Sequence, residues 1–222
     1  MGVNGDGSKP RSDGIPSSPQ TATGAEPIRE MRESTQAPSE SCQKRQMPEP
    51  VHLLVDLIPT PIGSLMIAAD QQGNLRVALF TEDEAVVSRH LQLHYGKTGF
   101  TLDRTRNPHS LSTAISRYFG GELDAIDALP VATGGTPFQR KVWHELRNIP
   151  CGATTSYGDL ARRIGHPTAV RAVGAANGDN PIAVVVPCHR VIGANGSLTG
   201  YGGGIERKRW LLDHEKRPTR LF

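Results

Sequence analysis

Cys188 and His189 stand side by side in Pro187-Cys188-His189-Arg190, behind the run Ile182-Ala183-Val184-Val185-Val186 and ahead of a glycine-rich segment from Gly193 to Gly204. A thiol attacks as its thiolate, and a neighbouring imidazole either takes the proton or holds the anion by hydrogen bonding. The apolar β-branched run, bounded by turn residues, predicts a buried strand with Cys188 where that strand leaves the core. Neighbouring residues of a strand face opposite sides, so the imidazole needs a third group to orient it. Glu215, beside Asp213 and His214 on the last predicted helix, is the acidic residue nominated for that task. A solitary Cys-His pair is more often a small core residue beside a structural histidine. The surrounding sequence has to decide.

Upstream, Ser156 followed by Asp159 predicts a capped helix to about Ile164, broken by Gly165-His166-Pro167. Thr168 is placed to cap a second helix that runs to about Asn177 and stops at Gly178. Two short helices with a tight Gly-containing turn make a helix-turn-helix, although ordinary helical hairpins share the pattern. Charge favours a nucleic-acid reader. Residues 136–222 carry thirteen Lys and Arg against six Asp and Glu, whereas residues 51–135 carry six against nine. A basic half-chain is the footprint expected of phosphate contacts, and a solvated basic surface gives the same count.

The chain resembles the O6-alkylguanine-DNA alkyltransferases, or methylated-DNA-protein-cysteine methyltransferases, over roughly Val51 to Phe222. Pro187-Cys188-His189-Arg190-Val191-Ile192 matches the family's active-site motif, with the acceptor cysteine that non-catalytic relatives replace. Thr136-Pro137-Phe138-Gln139 with Val142-Trp143, Ile149-Pro150-Cys151-Gly152, and Thr155-Ser156-Tyr157 match in order. So do Arg171-Ala172-Val173-Gly174, Asn180-Pro181, Tyr201-Gly202-Gly203, Trp210-Leu211-Leu212 and His214-Glu215.

The resemblance implies direct, irreversible transfer of a methyl or other alkyl group from O6 of guanine in double-stranded DNA to Cys188. O4-alkylthymine is a second candidate substrate. The nucleotide is flipped out of the stack first, which costs about a few kcal/mol. His189, oriented by Glu215 and bridged by water, supplies the thiolate, while Asn180 ties the recognition helix to the active-site segment. Tyr157 assists rotation and meets the charge leaving on the purine. Arg171 enters the vacated stack, with Ala172, Gly174, Asn177 and Ser156 beside it on the DNA. Val191, Tyr201 and Gly202 line the alkyl pocket, and Gly202 stands where some relatives carry a serine. The family fold implied is α+β: a small ribonuclease-H-like N-terminal α/β domain (51–135) and a mainly helical C-terminal domain (136–222) with a helix-turn-helix. The alternatives are a non-catalytic reader, including a regulator signalled by Cys188 methylation, and a Cys-His hydrolase. A transferase stops at one alkyl per chain, a reader transfers none, and a hydrolase continues.

No cofactor and no metal site are expected. Gly200 to Gly204 lacks the Lys-Ser or Lys-Thr of a phosphate loop, and three scattered cysteines suit neither structural zinc nor a disulfide framework. Cys151 reads as a packing residue in a turn. Residues 1–50 hold seven Pro, seven Ser and five Gly with no Phe, Trp or Tyr, so they are expected to be a disordered tail, with Cys42 in it. They lack the apolar core of a secretory signal, and no apolar stretch of about 20 residues could span a bilayer. The expectation is a monomer that needs no membrane, located in the cytoplasm with the nucleoid, or in the nucleus of a eukaryote. Strands are expected at 51–58, 64–69 and 75–80, with helices at about 82–95 and 110–119 and a linker near 130–135.

Overall fold

The computed structural model describes residues 50–96 and 98–216. The expected disordered tail, apart from Pro50, lies outside the described residues, and so does Cys42.

Strands β1 (Val51–Ile58), β2 (Leu65–Asp70) and β3 (Leu75–Phe80) form antiparallel pairs, joined at one end by the expected turn with Gly73 in the left-handed region. Helix α1 (Glu84–Tyr95), capped by the Asp83 side chain, leads to a fourth strand, β4 (Phe100–Arg104). That strand lies parallel to β1, so the sheet order is β3-β2-β1-β4. Sequence reading missed β4. It is short, lies at the edge and leaves Thr101, Asp103 and Arg104 exposed, so it carries only a weak apolar signature.

Alternation along the strands sends side chains to both faces of this sheet. Leu53, Val55, Met66, Ala68 and Val77 pack against Val87 and Leu91 of α1. Ile58, Leu65, Ile67 and Ala69 join the larger core, which includes α2 (Leu111–Phe119) and the helices that follow. This core crosses the boundary near residue 135 without a break: Leu75 and Ala78 belong to the same cluster as Trp143, Leu160, Val173 and Leu211. The expected linker is itself pinned to the sheet, because Leu75 N–H donates to the Pro130 carbonyl and Ala132 N–H to the Leu75 carbonyl. At Gly135 (φ +89°) a Cβ would sit 2.8 Å from the Trp143 ring, so this turn requires glycine.

Helix α3 (Pro137–Leu146) starts on a full capping box between Thr136 and Gln139. A two-stranded parallel pair, β5 (Thr155–Ser156) and β6 (Val191–Ile192), joins segments far apart in sequence. Helix α4 (Tyr157–Arg163) begins where expected, with Ser156 Oγ accepting from Asp159 N–H. Helix α5 (Val170–Gly178) differs at its start. Ala169 is the N-cap, no side chain caps the helix, and exposed Thr168 lies in the turn before it. Helix α6 (Ile205–Glu215) closes the fold.

The largest departure is at residues 182–186, which form no strand. They are buried, as expected, but run through consecutive tight turns: Val185 N–H bonds Ala183 O, Val186 N–H bonds Ile182 O, and Cys188 N–H bonds Val186 O. Val184 sits at φ +71°, a conformation that a β-branched residue rarely adopts. A buried backbone needs partners, and here Asn180 supplies those a neighbouring strand would otherwise give. Its amide donates to the Ile182 and Val186 carbonyls, and its oxygen accepts from Ile182 N–H. The edge of β3 completes the support through Ala78 N–H to Pro181 O and Ala183 N–H to Ala78 O.

Candidate active site

Cys188 opens a single 3-10 turn, Cys188–Arg190, rather than ending a strand, so its neighbours are set by that turn. The residue is 5% exposed, and Asn180 Nδ2–H donates to Sγ at 3.1 Å. Burial pushes the thiol pKa up, against the pull of the Asn180 hydrogen bond and the nearby Lys208 cation. In this closed pocket the resting group is therefore the thiol, and a base has to make the thiolate.

His189 is fully buried, and its Nε2 lies 2.9 Å from Glu215 Oε1. Burial holds the imidazole below its ordinary pKa despite the carboxylate, so it is neutral at pH 7. Nε2–H then donates to Glu215, which leaves Nδ1 as the basic nitrogen. Nδ1 is buried and has no protein partner. Leaving such an atom unpaired costs about 1–3 kcal/mol, a penalty usually found where a functional partner is expected.

The nomination of Glu215 agrees with the geometry, but sequence reading missed how many groups hold it. Oε1 accepts from Tyr118 Oη at 2.8 Å and Arg190 Nη2 at 2.8 Å besides His189, and Oε2 accepts from Arg190 Nε at 2.9 Å and Gly152 N at 3.4 Å. Burial alone would raise the Glu215 pKa. The donors from His189 and Arg190 outweigh it and hold the carboxyl well below the usual range. Arg190 also donates to the Ile149 carbonyl at 2.6 Å, which fixes its guanidinium. Its place beside Cys-His was a signal that went unused. Tyr118, distant in sequence on α2, carried none.

Lys208 was also missed. It is 0% exposed, and Nζ donates to the Val191 carbonyl at 2.6 Å and the Thr199 carbonyl at 3.0 Å. A readable signal existed: residues 208, 211, 212 and 215 form the buried stripe of α6 at helical spacing, so a lysine at its head had to find partners.

The other nominated residues divide into two groups. Arg171 and Ala172 are exposed on α5, whose Gly174 lies against the Tyr157 ring, with its absent Cβ 3.9 Å from that ring. Tyr157 Oη accepts from Thr199 Oγ1 at 3.1 Å, which leaves its own hydroxyl proton free. Ser156 is occupied with its cap. Asn177 needs correction as a DNA-facing residue: it is 3% exposed, and its amide donates to the Cys188 carbonyl at 3.4 Å. Val191 is buried on β6, Gly202 is exposed, and the Tyr201 hydroxyl is buried without a partner. Part of the basic surplus is also internal, because Arg190 and Lys208 are buried and serve the site.

Cys151 is half-buried with its thiol pushed up to about 11 by burial and by Glu215, which suits a packing residue. Among the described residues no group of three His, Cys, Asp or Glu side chains is placed to hold a metal ion, and no helix is long and apolar enough to cross a membrane.

Known proteins resemble this chain in sequence and fold. Residues 137–217 match the sequence profile of the DNA-binding domain of 6-O-methylguanine DNA methyltransferase. A methylated-DNA-protein-cysteine methyltransferase of Shigella flexneri is 53% identical over 165 residues, spanning 74% of this chain and 96% of that one. The crystal structure of the Mycobacterium tuberculosis O6-methylguanine methyltransferase superposes with a TM-score of 0.59 at 43% identity, over 75% of this chain and 93% of that one. A crystal structure of Mycobacterium tuberculosis OGT in complex with DNA gives a TM-score of 0.55 at 41% identity, over 75% of this chain and 93% of that one.

Proposed function

The chain belongs to the methylated-DNA-protein-cysteine methyltransferase family, and on that footing we propose that Cys188 is its alkyl acceptor, served by His189, Glu215 and Asn180. Its activity is DNA repair by direct alkyl transfer. The observation that carries the residue assignment is the buried Cys188 thiol, held by Asn180, next to a neutral His189 whose free Nδ1 is aligned by Glu215.

O6-alkylguanine is the substrate, presented after the nucleotide leaves the duplex. The His189 Nδ1 lone pair takes the Cys188 proton through a bridging water. Glu215 stabilises the resulting imidazolium without becoming protonated. Asn180 Nδ2–H keeps the sulfur lone pair aimed. The C–S bond then forms as the C–O6 bond breaks, and the electron pair passes to the purine. The Tyr157 hydroxyl, its oxygen already satisfied by Thr199, donates toward that developing charge and is reprotonated from the imidazolium. The product is a thioether, which no residue of the site can cleave, so each chain acts once.

Helices α4 and α5, separated by Gly165-His166-Pro167, support a helix-turn-helix reading with α5 as the recognition helix. Exposed Arg171, at the start of α5 and followed by small residues, fills the gap left by the flipped base, and Ala172 and Gly174 permit close approach to the minor groove. The β3-β2-β1-β4 order with a parallel fourth strand supports a ribonuclease-H-like N-terminal domain over residues 51–135. A monomer in the cytoplasm, acting on nucleoid DNA, fits this role.

The test is stoichiometry. With duplex O6-methylguanine in excess and the methyl group isotopically labelled, label on protein should saturate at one per chain. Continued turnover, or no transfer despite binding, would refute the reading.

A further inference from the structure

Two consecutive side chains of α6 grip the segment between β6 and α6. Lys208 holds its middle at the Thr199 carbonyl. Arg207 holds its end: Nη1–H donates to the Gly203 carbonyl at 2.7 Å, while Nε–H donates to the Ile62 carbonyl at 2.8 Å. Ile62 lies in the turn between β1 and β2, so one guanidinium joins the Tyr201 segment to the sheet. The same group lies over the Phe80 ring of β3, 5.0 Å from its centroid. Gly63, at φ +109°, completes the seat, because a Cβ there would stand 3.0 Å from Arg207 Nη2.

We propose that Arg207 is a positioning residue that sets the width of the alkyl pocket, a role that rests on the alkyl-transfer reading above. The packing leaves Tyr201 little freedom while Arg207 stays in place. A Cβ on Gly203 would lie 2.7 Å from the Tyr201 ring and 3.2 Å from Phe80, so Tyr201 and Phe80 flank Gly203 closely, with the guanidinium over Phe80. The segment leading to Cys188 is fixed by the same strand, since β3 bonds the Pro181–Ala183 backbone through Ala78. The sheet therefore holds the turn that carries Cys188 and, through Arg207, the segment that carries Tyr201. A planar fork suits two diverging carbonyls, and neither a lysine nor an apolar side chain can hold both.

Removing Arg207 frees Gly203 and lets Tyr201 move away from Cys188. A bulky alkyl group then gains room while a methyl carbon loses its close seat. The experiment measures second-order transfer rates of the full chain, for wild type, Arg207→Ala and Arg207→Lys, on one duplex sequence carrying either O6-methylguanine or O6-benzylguanine. Flipping and DNA contacts are common to both, so the benzyl-to-methyl ratio reports the pocket. The ratio should rise about tenfold in Arg207→Ala, the lower end of what losing a hydrogen bond to a charged group is worth. It should rise less in Arg207→Lys, which still reaches one carbonyl. Equal slowing on both substrates, as general destabilisation would give, or an unchanged ratio, overturns the proposal. If Arg207→Ala fails to fold, Phe80→Leu, which removes the ring from beneath the guanidinium, must move the ratio in the same direction. A wild type that transfers no methyl would instead refute the alkyl-transfer reading, and this proposal would fall with it.

Discussion

Replacing Glu215 by Gln removes one charge from a carboxylate on which Tyr118, His189, Gly152 and two nitrogens of Arg190 converge. Glutamine keeps a single acceptor oxygen and turns an NH2 toward these donors, leaving the buried Arg190 cation uncompensated. Breaking a buried pair by removing one partner costs about 3–5 kcal/mol. At about 2–4 °C per kcal/mol for a chain of this size, the melting temperature at neutral pH should fall by roughly 6–20 °C. The loss has a pH signature. Glu215 in the native protein stays ionised below its ordinary value of 4.5, while the unfolded chain takes up the proton there. Its contribution is therefore complete above that value and is lost as pH falls toward the native value. His189 adds a slope of the same sign: its pKa is held below 6.5, so the unfolded chain binds the proton first and stability declines as pH drops through that range. Thermal melts of wild type and Glu215→Gln from about pH 8 to about pH 3 should show the gap widest at neutral pH and shrinking below about pH 4.5. A constant gap, or a neutral-pH difference under about 2 °C, would refute the reasoning. Methyl transfer by the variant, measured where it is folded, should slow by about 100-fold, because the imidazole loses the partner that fixes its tautomer.

Tyr201→Phe removes a buried hydroxyl without a partner, so thermal melts should show it as stable as wild type or about 1 kcal/mol more stable; a loss above that amount would mean the hydroxyl is satisfied. Arg171→Ala should slow repair of duplex DNA by about tenfold or more yet leave reaction with free O6-benzylguanine base nearly unchanged, and equal slowing on both would remove Arg171 from the stack-filling role. Stoichiometric methylation of the buried Cys188 thiol should overpack its pocket by about 1–3 kcal/mol, read as a lower melting temperature; an unchanged value would contradict the tight packing.

Local signals in the sequence carried most elements. Ser156 with Asp159 announces its helix because a cap is a short-range interaction, and Thr136 with Gln139 carried the same signal unread. The turn around Gly73 and the alternation of β1 to β3 are equally local. The candidate site was nominated as Cys188, His189, Asn180 and Glu215 because their motifs resemble a known family. What stayed hidden depends on partners far apart in the chain. The run 182–186 has strand composition yet turns, because Asn180 and the β3 edge satisfy its backbone. Tyr118 meets Glu215 across the core, and Asn177 turns inward where a recognition helix was expected to face outward. A count of basic residues could not separate Arg190 and Lys208, which are buried in the site, from those that face solvent.

The central claim is that Cys188 is the single alkyl acceptor. Peptide and intact-mass spectrometry after incubation with a duplex bearing one O6-methylguanine, alongside Cys188→Ala, tests it most directly. The account predicts one added methyl per chain, confined to the peptide that contains Cys188 and absent from the variant. Methyl on Cys151 or on any other residue, or an unmodified protein bound to the lesion, would contradict it.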